Sequence, residues 1–186
     1  MATQEVRDRS ESRRLGQIVE AARDLLEREG WEAVSMRRVA AQVGIKAPSL
    51  YKHLPDKAAL AAALISTGFG EQAVALEAAR SSPQAIESGE RLAVLAYAYR
   101  DFARRHPHLY RLMTQGSLPR ERLAPGVEDR VAAPLVEALA GDIDAARAAW
   151  AFAHGMVLLE LDQRFPEGAD LDAAWWSGIE ALQSGR

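Results

Sequence analysis

The chain has no cysteine, and among its twenty-three basic residues only three are lysine. Without cysteine there are no disulfides, no thiol chemistry and none of the common zinc–cysteine sites, which suits a reducing cytoplasm. No run approaches eighteen uninterrupted apolar residues, and no charged-then-apolar leader opens the sequence. Neither a membrane span nor secretion is therefore expected, and a cytoplasmic location is. Alternating β-branched runs between turns are nearly missing, which argues against a sheet. Internal repeats and low-complexity tracts are absent too. There is no nucleophile motif, no metal-spaced cluster and no glycine-rich phosphate loop, so no cofactor is expected.

What is present is ordinary for a soluble domain: 186 residues, 48% hydrophobic and 26% charged. That length holds one large domain, or a small one joined to a larger one. A net charge of −3 argues against a protein that coats nucleic acid indiscriminately. The distribution says more than the total. Residues 1–60 carry eleven Lys/Arg against nine Asp/Glu, and residues 61–186 carry twelve against seventeen. All three lysines, Lys46, Lys52 and Lys57, fall in the stretch AQVGIKAPSLYKHLPDKAAL.

Alanine-rich segments with apolar residues three and four apart read as an all-α protein. Residues 1–12 are polar without an apolar stripe and read as a mobile arm. A first helix runs from about Arg13 to Arg28, with Leu15, Ile18, Val19, Ala22, Leu25 and Leu26 on one face and Gly30 at its end. Ser35 is placed to N-cap a short helix from Met36 to Val43, which Gly44 breaks. Pro48 suits the first turn of a very short third helix. Asp56 caps a fourth, running through Leu60 and Leu64 toward Ala79. Longer helices follow at about 86–106, 127–140, 143–165 and 170–184, with Pro107 as a break and residues 116–126 as a loop.

Three short helices with a glycine turn between the second and third match a helix-turn-helix. The second helix braces the DNA backbone and the third presents its N-terminal half to the major groove. Val39, Ala40, Val43, Ile45 and Leu50 form the packing side. That leaves Lys46, Ala47, Pro48, Ser49, Tyr51, Lys52 and His53 as the outward set. Lys46 and Lys52 can reach phosphates or guanine edges, Ser49 can donate or accept, and Ala47 or Pro48 can touch a thymine methyl. Tyr51 and His53 can bond phosphate oxygens; Tyr51 can equally pack. Lys57 would add its charge to open amides at the start of helix four, and Arg37 can reach backbone or base. A charge run in an arbitrary helix is usually a solvated face; its place in a helix-turn-helix reverses that reading here.

The stretch from Gly30 to Leu60 resembles the DNA-binding domain of the TetR family of bacterial transcriptional regulators. The family pattern runs in order: a glycine after helix one, Ser35-Met36, Val39-Ala40, Gly44-Ile45, Leu50-Tyr51, His53 and Asp56-Lys57. Downstream, HPHLYRLM and WAFAHGMVLLEL resemble the C-terminal domain of the subgroup named for Trp-His-Gly, here Trp150, His154 and Gly155. The resemblance implies a homodimer on a palindromic operator, with a C-terminal helical domain that binds a small-molecule effector. The commonest role it implies is repression released by that ligand.

On this reading the chain divides into an arm (1–12), a helix-turn-helix domain (13–58) and a ligand-binding and dimerisation domain (59–186). Tyr99, Phe102, Tyr110 and Met113 flank the Pro107 break and are spaced either as core stripes or as lining of an apolar cavity. Trp150 and His154 share a helix face; the imidazole is either a polar anchor for ligand or a buried structural histidine. Gly155 in mid-helix points to a close helix approach, either against a pocket wall or at a dimer interface. Leu158, Leu161, Trp175, Trp176 and Ile179 belong to two amphipathic C-terminal helices expected to pair with a second copy. Two adjacent tryptophans cannot both point inward, so one needs a partner surface. Two rivals stay in view. One is sequence-specific DNA binding without ligand control. The other is a helical enzyme using His154 or His106 with Asp101 or Asp162. A metal site at His106, His108 and Asp101 lacks a further His or Cys.

Overall fold

The computed structural model describes residues 2–83, 85 and 90–184, with side chains from Ser10 onward. Among the described residues it is all helical. The helices are α1 (Ala2–Glu29), α2 (Met36–Val43), α3 (Ala47–Tyr51), α4 (Lys57–Arg80), α5 (Arg91–Arg105), α6 (Pro107–Thr114), α7 (Val127–Ala138), α8 (Ile143–Leu161) and α9 (Leu171–Ser184). Single 3-10 turns lie at Trp31–Ala33 and Arg120–Arg122. The 86–106 segment is helical from Arg91; Ile86 lies outside the described residues, as does Met1 of the expected arm.

α1 begins at Ala2, well before the expected start at Arg13. The apolar stripe that marks a helix starts only where the helix meets the core. Upstream of it, the sequence is rich in Glu, Arg and Gln, good helix formers that need no stripe.

The chain divides into two compact units, 1–68 with 108–125, and 69–107 with 126–186. This partition differs from the 13–58 and 59–186 segments read from sequence. The first reason lies in α4, whose Leu60, Ala62 and Leu64 are at most 1% exposed. They are core side chains of the first unit. The second reason is α6, which returns to that unit after the Pro107 break. Its Leu109 and Met113 pack so closely on Gly68 that a Cβ there would lie 2.8 Å and 2.5 Å from their side chains. By length and composition alone α4 could cross a membrane. Its buried leucines explain that apolar character as core.

In the second unit α5 packs on α7, α8 and α9, while α8 packs on both α7 and α9. Leu92, Leu95, Tyr99, Phe102, Val127, Val157, Trp175 and Ile179 fill the interior. Phe152 meets Trp175 edge-on at 5.6 Å. A Cβ on Gly178 would collide with the Phe152 ring, so the close α8–α9 approach is made at Gly178. A Cβ at Gly155 would meet nothing within 4 Å among the described residues, so the expected close approach there is not made within the chain.

Candidate nucleic-acid interface

The recognition unit is set up by its caps. The Ser35 hydroxyl oxygen accepts from the Arg38 amide at 3.3 Å, so α2 starts where the sequence signals it. Gly44 ends α2 at φ 72°, ψ 30°, a conformation costly for any side chain. The amide of Ile45 returns to the Ala40 carbonyl at 2.9 Å and that of Gly44 to Ala41 at 3.2 Å, satisfying two end carbonyls. Pro48 stands in the first turn of α3, as its missing N–H allows.

Val39, Ala40 and Leu50 are at most 2% exposed, and Leu54 is 6%. With Leu50 turned inward, α3 presents Lys46, Pro48, Ser49, Tyr51 and Lys52 to solvent, while Ala47 and His53 are half-buried. Tyr51 is 49% exposed, which supports contact with a partner more than internal packing. Arg37 is exposed on α2. Its neighbour Arg38 is occupied: the guanidinium bonds Glu29 at 2.6 Å and 2.9 Å and the Ala33 carbonyl at 2.9 Å. The Glu29 carboxyl is held below its ordinary range by the hydrogen bond from Arg38. Arg38 therefore ties α1 to α2.

Lys57 differs from expectation. Its Nζ donates to the Trp31 carbonyl at 3.2 Å and lies 4.5 Å from the centre of the Trp31 ring. The first turn of α4 also already has a carboxylate at its amides. Asp56 accepts from the Ala59 amide at 2.6 Å, and that bond, with the nearby Arg122, keeps its carboxyl below the usual range. The reason is local: the residue that caps the helix brings its own negative charge to the helix terminus. Arg122 lies 3.2 Å from Asp56, sixty-six positions away, and no sequence signal links the two.

The expected ligand-pocket residues are not gathered in one unit. Tyr99, Phe102, Trp150 and His154 are in the second unit, and Tyr110 and Met113 in the first. Tyr99, Phe102, Tyr110 and Met113 are all 8% exposed or less, so they serve as core. Trp150 is 51% exposed and stacks on His154 at 5.8 Å. Burial pushes the His154 imidazole down from its ordinary value. A cleft of about 330 Å³ in this unit is lined by Arg80, Ser81, Arg91, Glu137 and Ala138. Its lining is largely polar, it includes none of the expected pocket residues, and Arg80 bridges to Glu137 across it at 3.2 Å.

Two of the expected interface residues are interior. Trp175 is 0% and Ile179 1% exposed, because each faces its own core. Trp176 is 39% and Leu159 42% exposed; Leu158 and Leu161 are half-buried. Sequence reasoning also missed a charge cluster in which Arg100 and Glu160 are buried and Asp172 lies at the surface. Arg100 bonds Glu160 at 3.0 Å and Asp172 at 2.5 Å, and the Trp175 indole N–H donates to Glu160. Arg100, Glu160 and Asp172 each sit on a different helix, so only folding brings them together. Among the described residues no three His, Cys, Asp or Glu side chains converge on a metal position.

Comparison with known proteins agrees with this geometry. Residues 18–64 match the model of bacterial regulatory proteins of the tetR family. Residues 92–182 match that of the tetracyclin repressor-like C-terminal domain. The chain is 31% identical over 179 residues to the uncharacterized HTH-type transcriptional regulator Rv0681 of Mycobacterium tuberculosis, covering 90% of this chain and 79% of that one. A protein of unknown function from Rhodococcus sp. RHA1 has the same fold at a TM-score of 0.71 and 27% identity, covering 92% and 94% of the two chains. So does a single-substitution variant of TetR from Acinetobacter baumannii AYE, solved in complex with minocycline, at 0.64 and 22%, covering 91% and 94%. The chain belongs to the TetR family of DNA-binding transcriptional regulators, and is not an enzyme.

Proposed function

We propose that this regulator is a cytoplasmic homodimeric repressor released from a palindromic operator by a small molecule. The observation that carries the reading is the face of α3: Leu50 seals the unit at 0% exposure while Lys46, Ser49 and Lys52 stand in solvent. Two copies of that face, held about one helical turn of DNA apart, suit half-sites in successive major grooves. Lys46 and Ser49 read bases; Arg37, Tyr51, Lys52, His53 and the Ser35 hydroxyl hydrogen meet backbone phosphates. Lys57 contributes long-range charge while resting on Trp31.

The second unit holds the effector in this proposal. Support comes from the match to the tetracyclin repressor-like domain and from the minocycline complex of the Acinetobacter protein. The Trp150–His154 pair presents an aromatic face beside a neutral imidazole, a combination suited to a partly apolar ligand. Release requires the effector to prefer the subunit arrangement that fits the operator poorly, by a coupling of about 1–3 kcal/mol.

The test is operator selection from random duplexes, followed by binding to the selected palindrome. Lys46→Ala or Ser49→Ala should relax preference at one position by about 1–3 kcal/mol of discrimination. A melting shift with candidate small molecules, repeated with operator present, then looks for one that stabilises the protein and weakens DNA binding. Binding indifferent to sequence sinks the repressor reading.

A further inference from the structure

We propose that Arg122, outside the helix-turn-helix, is part of the DNA interface, where it offsets the charge of Asp56 and contacts a backbone phosphate beside the start of α4. The inference rests on the docking of α3 described above.

Asp56 is the only acidic residue between Glu32 and Glu71. It follows Lys52 and His53 and precedes Lys57, so it puts a negative charge into the stretch expected to meet phosphates. A side-chain oxygen is needed at this position, because it caps α4 by accepting from the Ala59 amide at 2.6 Å, and aspartate supplies it together with a charge. Arg122 lies against it, with Nη1 3.2 Å from one carboxylate oxygen and 3.4 Å from the other. The side chains are 45% and 50% exposed, so the pair is open to a third group.

The guanidinium is delivered by an anchored backbone. The Ala124 amide donates to the Ser66 hydroxyl at 2.9 Å, fastening the chain just after Arg122 to α4. The Arg122 amide bonds the Pro119 carbonyl at 2.9 Å, closing the 3-10 turn. A guanidinium has five N–H donors in a planar fork, and Asp56 engages Nη1 alone. Glu121 stands 3.9 Å from Nε, beyond hydrogen-bond length, on a side chain that is 76% exposed and free to swing away. The remaining donors can take a phosphate oxygen while Nη1 holds Asp56. Arginine suits this bridging better than lysine, whose ammonium is a point charge.

Phosphate contacts act on any sequence, so the test needs no operator. Wild type, Arg122→Ala, Asp56→Asn and the double variant are titrated against a random duplex of about 30 base pairs at graded salt. Asparagine still caps a helix, so Asp56→Asn keeps α4 intact. The expected result is that Arg122→Ala weakens binding roughly threefold per subunit and flattens the log–log salt slope by about one per subunit. The loss should persist in the Asp56→Asn background, and Arg122→Lys should restore most of the slope. Unchanged affinity and slope would overturn the proposal. So would a loss that disappears with Asp56→Asn, because Arg122 would then only screen that carboxylate. A wild-type chain that binds neither this duplex nor a selected palindrome overturns the docking of α3, and the Arg122 contact with it.

Discussion

At the scale of single residues, neighbours decide what a side chain does. Gln72 on α4 is 3% exposed, and its Nε2 has no hydrogen-bond partner among the described residues. A buried donor in that state costs about 1–3 kcal/mol, whereas an apolar group of the same shape carries no such penalty. Gln72→Met should therefore leave stability unchanged or raise it by about 1 kcal/mol, read as a shift in the denaturant midpoint. A loss larger than that would mean the amide is satisfied, for instance by an internal water. Charge shows the same dependence. The sequence marks Lys57 and Arg37-Arg38 as cations near a DNA-binding motif. It holds no signal that Lys57 lies on Trp31 or that Arg38 is bound to Glu29. Those partners are set by how α1, the Trp31 turn, α2 and the start of α4 meet.

At the scale of helices, two glycines in the C-terminal pair make opposite predictions. A Cβ at Gly178 would clash with the Phe152 ring, whereas one at Gly155 would meet nothing within 4 Å among the described residues. Gly178→Ala should destabilise by about 1–3 kcal/mol through overpacking. Gly155→Ala should raise the stability of the isolated chain by about 1 kcal/mol through helix propensity. Chemical denaturation at a concentration low enough to separate subunits measures both. Helix boundaries were legible where a side chain or glycine acts on its own backbone, as at Ser35, Gly44, Pro48 and Asp56. They were less legible at the N-terminus, where α1 continues through residues with no face to bury.

At the scale of the whole molecule, the proposed dimer depends on what the monomer leaves uncovered. Trp176 and Leu159 are the exposed large apolar side chains on α9 and on the C-terminal half of α8. Trp176→Glu should shift the protein to monomer in sedimentation velocity while keeping the helical signal. It should also weaken operator binding, since two half-sites act together only through the dimer. Trp175→Glu should instead disrupt the fold, because that ring is fully buried beside Glu160 and Arg100. A dimer that survives Trp176→Glu would place the interface elsewhere.

The all-α class, the helix-turn-helix and its outward face followed from the sequence, because each rests on short-range rules. Periodicity assigns faces, caps act within four residues, and a five-residue helix with Leu50 inside has few ways to present its other side chains. Which of two adjacent tryptophans is core was not decidable from spacing. Nor was the return of α6 to the first unit, the pairing of Asp56 with Arg122, or the Arg100 cluster. Those depend on contacts between segments tens of residues apart. Only the tertiary structure, by choosing which surfaces meet and exclude water, settles them.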